Sequence, residues 1–288
     1  MSKITTLSIG GPAKDFKIVK TEQELFDLIK NKPDFLIIGG GSNLLVSDEG
    51  IDKLVIKNEI TGISGDVSVK SGTLLQDLVG YSIEHGLSGL QKLTGIPGTV
   101  GGAVYGNAGA YGQTISDYIL EIKTLNSTLT KQACNFGYRD SIFKKSKSII
   151  LEVTFQLEKA DPKTLAQEAK EILEKRLIKY PLGIKCPGSF FKNIIAETLP
   201  KEILNKVSDK IIYGKLPAGS LLEEVGAKGD SLDNIYIADY HANLFINKGG
   251  GTAQAFYNLA KKYTLLVKQK FGITLEPEVQ LINLPSLQ

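Results

Sequence analysis

The alternation of apolar and polar positions along this chain predicts short strands interrupted by a few helices. Thr21-Glu22-Gln23-Glu24 has the form of a capping box, a hydroxyl answered three residues later by a carboxylate, and opens a helix over 25–30. The apolar run Phe35-Leu36-Ile37-Ile38 reads as a strand. It is followed by a glycine turn, Gly39-Gly40-Gly41-Ser42-Asn43, then a strand-like Leu44-Leu45-Val46 and another strand over 53–57. Thr73 with Gln76 repeats the capping-box pattern ahead of a helical stripe of Leu74, Leu75, Leu78, Val79 and Ile83 that ends at Gly86. Residues 118–125 and 149–157 alternate with period two, the second placing Ile149, Leu151, Val153, Phe155 and Leu157 on one face. Asp161-Pro162 opens a longer helix carrying Leu165, Ala169, Ile172, Leu173 and Leu177, which stops before Pro181. Shorter helices near 199–207 and 221–225, a strand at Leu244-Phe245-Ile246, a helix over about 253–270 and a last strand near 279–284 complete the chain. This order predicts an α+β fold with mixed, mostly antiparallel pairing. The boundary expected near residue 159 separates a domain over 1–159, itself in two parts of about 1–60 and 65–159, from a smaller α+β domain over 160–288. The last strand is expected to pack back on the first domain.

Composition narrows the function classes. With 288 residues and a net charge of +3, the chain can bury a sizeable core but carries no broad field for nucleic acid or anionic membrane. No apolar run approaches the ~20 residues that span a bilayer. Met1-Ser2-Lys3-Ile4-Thr5-Thr6 lacks the pattern of an export signal, so a cytoplasmic protein is expected. Cys134 and Cys186 make no disulfide framework, and His85 and His241 show no metal-ligand spacing; no metal is expected.

The richest segment is 96–112, Ile-Pro-Gly-Thr-Val-Gly-Gly-Ala-Val-Tyr-Gly-Asn-Ala-Gly-Ala-Tyr-Gly, with six glycines in seventeen residues. Glycine lets a ligand approach the main chain closely, so the segment reads as a loop whose amides surround an anionic or polar ligand. With the turn at Gly39 it suggests two cradles for a dinucleotide. The Rossmann fingerprint is not met, because its third glycine position is Leu44 and a strand, not a helix, follows the turn. No P-loop pattern occurs.

These motifs, in this order, resemble the FAD-binding domain of the vanillyl-alcohol-oxidase (PCMH) type. More closely, the whole chain resembles the UDP-N-acetylenolpyruvoylglucosamine reductase (MurB) family. The segments that carry the likeness are Ser8-Ile9-Gly10-Gly11-Pro12-Ala13, Gly39-Gly40-Gly41-Ser42-Asn43-Leu44-Leu45, Gly95-Ile96-Pro97-Gly98-Thr99-Val100-Gly101-Gly102, Gly106-Asn107-Ala108-Gly109-Ala110-Tyr111-Gly112, Tyr138-Arg139-Asp140-Ser141, Gly188-Ser189-Phe190-Phe191-Lys192-Asn193, His241-Ala242-Asn243 and Glu276-Pro277-Glu278-Val279. The resemblance implies a two-part FAD-binding domain followed by a substrate-binding domain. It also implies NADPH-dependent, FAD-mediated reduction of the enolpyruvyl group of a UDP-sugar to UDP-N-acetylmuramate for peptidoglycan. Neither glycine loop holds a His or Cys, so the FAD is expected to be non-covalent. No nucleic-acid or membrane partner and a monomeric state are expected.

The resemblance also implies roles for particular residues. Hydride arriving at C3 of the enolpyruvyl group leaves negative charge at C2, shared with the carboxylate. Arg139 would stabilise that charge, Ser189 would protonate C2, and Glu278 would assist as a second polar group. Gly39, Gly40, Gly41, Ser42, Asn43, Leu44, Ile96, Pro97, Gly98, Thr99, Gly101, Gly102, Ala103, Asn107, Ala108, Gly109 and Arg176 would contact the cofactor. Tyr138, Lys179, Asn193 and His241 would contact the substrate, Lys179 at the diphosphate. From the residues alone, Arg139 reads by default as a surface arginine, Ser189 as a turn or cap serine, and Glu276 with Glu278 as a surface pair. Arg176 and Lys179 read equally as a solvated helix face, and His241 as a structural histidine. Competing readings are a related flavin oxidase of small alcohols or sugars and a non-catalytic nucleotide-binding module. The stretch from Asp140 to Ile149 is too short for the tyrosine-bearing insertion of one subgroup, so the chain resembles the shorter subgroup. Ile194 stands where a proline is frequent, and 230–240 departs from the family's wording.

Overall fold

A computed structural model describes residues 1–32, 34–65 and 67–287. The chain divides into two compact units. The first is Lys14–Gly40 with Asp52–Ile178; the second is Met1–Ala13 with Gly41–Ile51 and Lys179–Gln288. The division therefore falls at Lys179 rather than near 159, and the long helix Pro162–Lys179 lies almost wholly in the first unit. No local composition signal marks the crossings at Gly40 and Asp52, which is why a boundary drawn from linker composition differs.

In the first unit, the strand Phe35–Ile38 runs parallel to Ile51–Asn58, with Leu36 beside Val55. Helix Glu22–Asn31 closes over a cluster of Val19, Leu25, Leu54, Ile56, Ile60 and Leu151. Its capping box forms as expected: Thr21 accepts from Glu24 N, and Glu24 reaches back to the Thr21 backbone. A five-stranded antiparallel sheet follows, in the order Thr128–Thr130, Ile119–Thr124, Ile150–Phe155, Ser68–Lys70 and Ile63–Ser64. A register shift lets Ile150 face Thr124 after Glu152 faces Lys123. This bulge breaks the single apolar face expected over 149–157. Leu151 enters the cluster under the first helix, while Ile150, Val153 and Phe155 enter the core with Leu78 and Val104.

The second expected capping box does not form. Helix Leu75–Glu84 has Leu74 at its N-cap, half exposed and outside the core. Thr73 Oγ1 instead accepts from Gly62 N (3.0 Å). Gln76 holds the chain ahead of the glycine segment, accepting from Gly95 N (2.8 Å) and donating to Ile96 O (3.0 Å). Tertiary partners outbid the local cap.

The second unit is built around one aromatic cluster. Phe190 meets Phe191, Phe256 and Phe245 at ring-centroid distances of 4.7, 5.0 and 5.4 Å. All four side chains are buried, each contributing roughly 2–3 kcal/mol by burial. The helix Ala253–Phe271 lays Phe256, Leu259, Ala260, Tyr263 and Val267 on this core. Its first amides are capped by Thr252 and by the Asp48 carboxylate, which accepts from Ala253 N and Gln254 N. Gly272, at φ +71°, ends it. The last strand, Gln280–Ile282, pairs in parallel with Leu44–Val46 of the same unit.

Candidate functional site

The glycine segment of the first unit is not a loop throughout. Residues Val100–Tyr105 form a short helix with Thr99 at its N-cap, Oγ1 accepting from Gly102 N (3.3 Å). Many amides expected to face a ligand are used internally: Gly101 N donates to Ser71 O, Ala103 N to Thr99 O, Asn107 N to Val104 O and Ala108 N to Ala103 O. The expected wide amide cradle is thus narrowed, because those four donors point into the protein. The two glycine motifs meet instead by close backbone approach. A Cβ on Gly40 would stand 2.8 Å from Gly98 Cα, and one on Gly39 would collide with Thr99 Oγ1. Only glycine lets these two turns lie together.

Asn107 supplies a test of whether this region suits the FAD expected from the motifs. It is buried, its Nδ2 donates to Gly137 O (2.8 Å), and its Oδ1 has no hydrogen-bond partner. A buried acceptor left open is costly unless a donor reaches it, and the ring N–H of a flavin is such a donor. The residues present therefore fit the group.

Arg139 stands in a tight turn in which Gly137 and Asp140 exchange both backbone hydrogen bonds. Its φ of +54° is uncommon for a side-chain-bearing residue and is strained backbone at a candidate site. The guanidinium donates to Asn107 O (3.3 Å) and Gly109 O and lies 5.3 Å from the Tyr138 ring centroid. The turn is thereby tied to the glycine segment. Arg176 lies across Gly95, with Nε 3.0 Å from where a Cβ there would stand.

In the second unit, three distant segments converge on Ser189. Its backbone bridges Leu244, and Phe191 bridges Pro277. Glu278 N donates to Phe190 O (2.8 Å), and Asn43 Nδ2 donates to Glu278 O (3.0 Å). Glu278 thus lies beside the Ser189 segment, with Asn43 of the first glycine motif behind it. Gly41, at φ +65°, belongs to this unit with Ser42 and Leu44. Glu276, by contrast, pairs with the Lys192 ammonium on an exposed face. Ser189 Oγ lies 3.2 Å from Tyr180 Oη and 3.4 Å from His241 Nε2. Burial first, then Lys179 and Lys228, pushes the His241 imidazole down to about 4, so the ring is neutral at pH 7. Lys179 Nζ lies 5.2 Å from the Tyr180 ring centroid. Asn193 accepts from Ala218 N (3.2 Å) through Oδ1, capping the helix Ala218–Glu224.

Among the described residues, no cluster of His, Cys, Asp or Glu could hold a metal ion, and no helix is long and apolar enough to cross a membrane. Both cysteines are buried, and burial raises their thiol pKa values, that of Cys134 to about 11.

Residues 17–128 match the model of an FAD binding domain, and residues 180–282 match the C-terminal domain of UDP-N-acetylenolpyruvoylglucosamine reductase. The reductase of that name from Solibacter usitatus is 37% identical, covering 98% of this chain and 95% of its own. The one from Carboxydothermus hydrogenoformans is 36% identical, covering 98% and 92%. This chain belongs to the UDP-N-acetylenolpyruvoylglucosamine reductase family. The crystal structure of the reductase from Thermus caldophilus superposes with a TM-score of 0.80 at 29% identity, over 98% of this chain and 96% of that one. As a family member the chain is a flavin oxidoreductase that uses FAD with NADPH as reductant. Its reaction is reduction of the enolpyruvyl ether of UDP-N-acetylglucosamine in peptidoglycan synthesis.

Sequence reasoning missed Tyr180 altogether and did not connect His241 with Ser189. Tyr180 follows the last residue of the long helix and carries no motif. The Ser189 and His241 segments are 52 residues apart, and tertiary pairing brings them together: Ser189 bridges Leu244, and Asn243 bonds Phe190 and Phe191.

Proposed function

We propose that Arg139, Ser189 and Glu278 carry out the chemistry of this reduction on the substrate. Bound at the glycine segments, FAD would supply the hydride, with NADPH as its reductant. Arg139 receives the substrate carboxylate: its fork is always charged and binds a carboxylate through two parallel donors, most strongly when negative charge has accumulated there. Ser189 delivers the proton to C2. Glu278 orients the developing enolate. The observation that carries this reading is the backbone bond from Glu278 N to Phe190 O, which fixes Glu278 beside Ser189 while Glu276 is engaged by Lys192. Tyr138 and Asn193 Nδ2 hold the substrate, Lys179 attracts its diphosphate and His241 borders it. Arg176, together with the glycine segments and Asn107, holds the cofactor.

The enzyme is proposed to act as a cytoplasmic monomer. In support, both thiols are free and buried, as suits a reducing compartment. Size-exclusion chromatography with light scattering should return a single species near 31.2 kDa. The test of function is spectroscopic. The purified protein should be yellow, NADPH should bleach it under anaerobic conditions, and the enolpyruvyl UDP-sugar should restore the colour. A protein that neither holds nor takes up flavin would refute the reading.

A further inference from the structure

We propose that Tyr180 is a positioning residue for Ser189, returning a proton to Ser189 Oγ as Oγ gives its own to C2 of the substrate. The inference rests on the reading of Ser189 as the proton donor. A serine hydroxyl is a very weak acid, and losing its proton outright would leave an alkoxide. Efficient proton transfer needs a group whose acidity suits the task or a neighbour that shares the charge. Tyr180 provides the neighbour: its Oη lies 3.2 Å from Ser189 Oγ, within hydrogen-bond reach.

A phenol, with a pKa near 10, is a much stronger acid than an aliphatic alcohol. Moving the proton deficit from Oγ to the ring oxygen is therefore downhill. The step balances without any change of oxidation state. The Ser189 O–H bond breaks as the C2–H bond forms. The Tyr180 O–H bond breaks as the Ser189 O–H bond reforms, and the tyrosinate takes a proton from solvent before the next turnover. The Lys179 ammonium, 5.2 Å from the Tyr180 ring centroid, stabilises the passing negative charge. The hydroxyl of Tyr240 donates to Lys179 O (3.3 Å) and steadies the helix end that carries Lys179 and leads into Tyr180. His241 stands on the other side of Ser189 Oγ, 3.4 Å away. Being neutral it holds no surplus proton, so it fixes the rotamer and leaves proton supply to Tyr180.

The experiment uses the FAD-loaded enzyme, reduced in advance, with the enolpyruvyl UDP-sugar mixed in by stopped flow. Tyr180→Phe keeps the ring and removes the hydroxyl. Flavin reoxidation should slow by about 10- to 100-fold with a larger solvent deuterium isotope effect, while KM for the UDP-sugar stays within about twofold and reduction by NADPH is unchanged. Because Tyr180 acts through Ser189, the double variant Ser189→Ala/Tyr180→Phe should be no slower than Ser189→Ala. If Ser189→Ala is slow and Tyr180→Phe is not, the inference fails and the role of Ser189 stands. If Ser189→Ala reoxidises at the wild-type rate, the reading beneath it fails as well. A Tyr180→Phe effect confined to KM, or one that multiplies with that of Ser189→Ala, overturns the inference. Should Tyr180→Phe fold poorly, 3,5-difluorotyrosine at position 180 keeps the contacts and makes the phenol more acidic. An unchanged reoxidation rate in that variant overturns the inference equally.

Discussion

The glycine region of the first unit and the Ser189 region of the second are assembled in opposite ways. The first is local: Thr99 caps the helix Val100–Tyr105, and the amides of Gly101 to Ala108 are satisfied largely within the segment or by Ser71. It exists to bring main chain close to main chain, as Gly40 against Gly98 shows. The second is non-local: Tyr180, Ser189, His241 and Glu278 come from segments up to about a hundred residues apart, joined by isolated backbone bridges over a buried aromatic cluster. The difference suggests a division of labour. A local segment can be specified by small residues alone, whereas positioning side chains for proton transfer needs the precision of a packed core.

The strongest test of that division is Arg139, which belongs to the local region but is proposed to act on substrate. Arg139→Ala should slow flavin reoxidation by the UDP-sugar by roughly 10³-fold, because the charge it would balance is greatest in the transition state. FAD content should persist, since the glycine segment keeps its own hydrogen bonds. Loss of FAD in step with activity would mean that Arg139 serves mainly the segment it touches at Asn107 and Gly109. Next in size is the contrast between two carboxylates two residues apart. Glu278→Gln should lower turnover by roughly 10²-fold, and Glu276→Gln, which breaks an exposed pair with Lys192, by less than about twofold. Equal losses would show that the register around Phe190 does not select between them.

How much of this was legible in the sequence follows from the same contrast. The local features were readable: the cap at Thr21, the long helix from Pro162 and the glycine motifs all rest on residues within a few positions of one another. Even there, Thr73 with Gln76 had the capping-box wording but found better partners in Gly62, Gly95 and Ile96. The helix inside 96–112 was hidden because glycine's low helix propensity argued against it, and Ser71 and Thr73 supply the anchoring carbonyls from outside the segment. Ser189, Glu278 and Arg139 were singled out as candidates through the motifs that resemble the family's. Nothing in the local sequence distinguished Glu278 from Glu276 or singled out Tyr180, because both distinctions arise from partners brought in by tertiary pairing.

The burial of His241 has a consequence for stability that the glycine region does not share. Its folded pKa lies at about 4, below the usual 6.5, because burial disfavours the imidazolium. Between these values the unfolded chain binds the proton and the folded chain does not, so stability rises with pH across the window. The contribution is complete above about pH 6.5 and is lost as pH falls towards 4. Urea unfolding at pH 7.5 and 4.5 should show a loss on acidification that is smaller in His241→Gln by on the order of 2 kcal/mol. The same acid loss in both proteins would place the imidazole in contact with water and show that burial does not exclude its charged form.

The smallest effect asks whether the glycine region is as self-contained as its hydrogen bonds imply. Thr99→Ala removes a helix cap and should cost about 1 kcal/mol. Gly39→Ala should cost about 2 kcal/mol, because its Cβ would collide with Thr99 Oγ1. Gly39 is not among the glycines with positive φ, and the nearest Thr99 carbons, Cβ and Cγ2, would lie 3.4 Å from the new methyl. With the hydroxyl gone, the methyl meets Thr99 Cβ at ordinary contact distance. The double variant Gly39→Ala/Thr99→Ala should therefore be more stable than the sum of the two losses by at least about 1 kcal/mol, measured by chemical denaturation. Strict additivity would mean that the collision at Gly39 is relieved by backbone movement. The two turns would then be loosely apposed, and close main-chain approach would no longer explain why glycine stands at these positions.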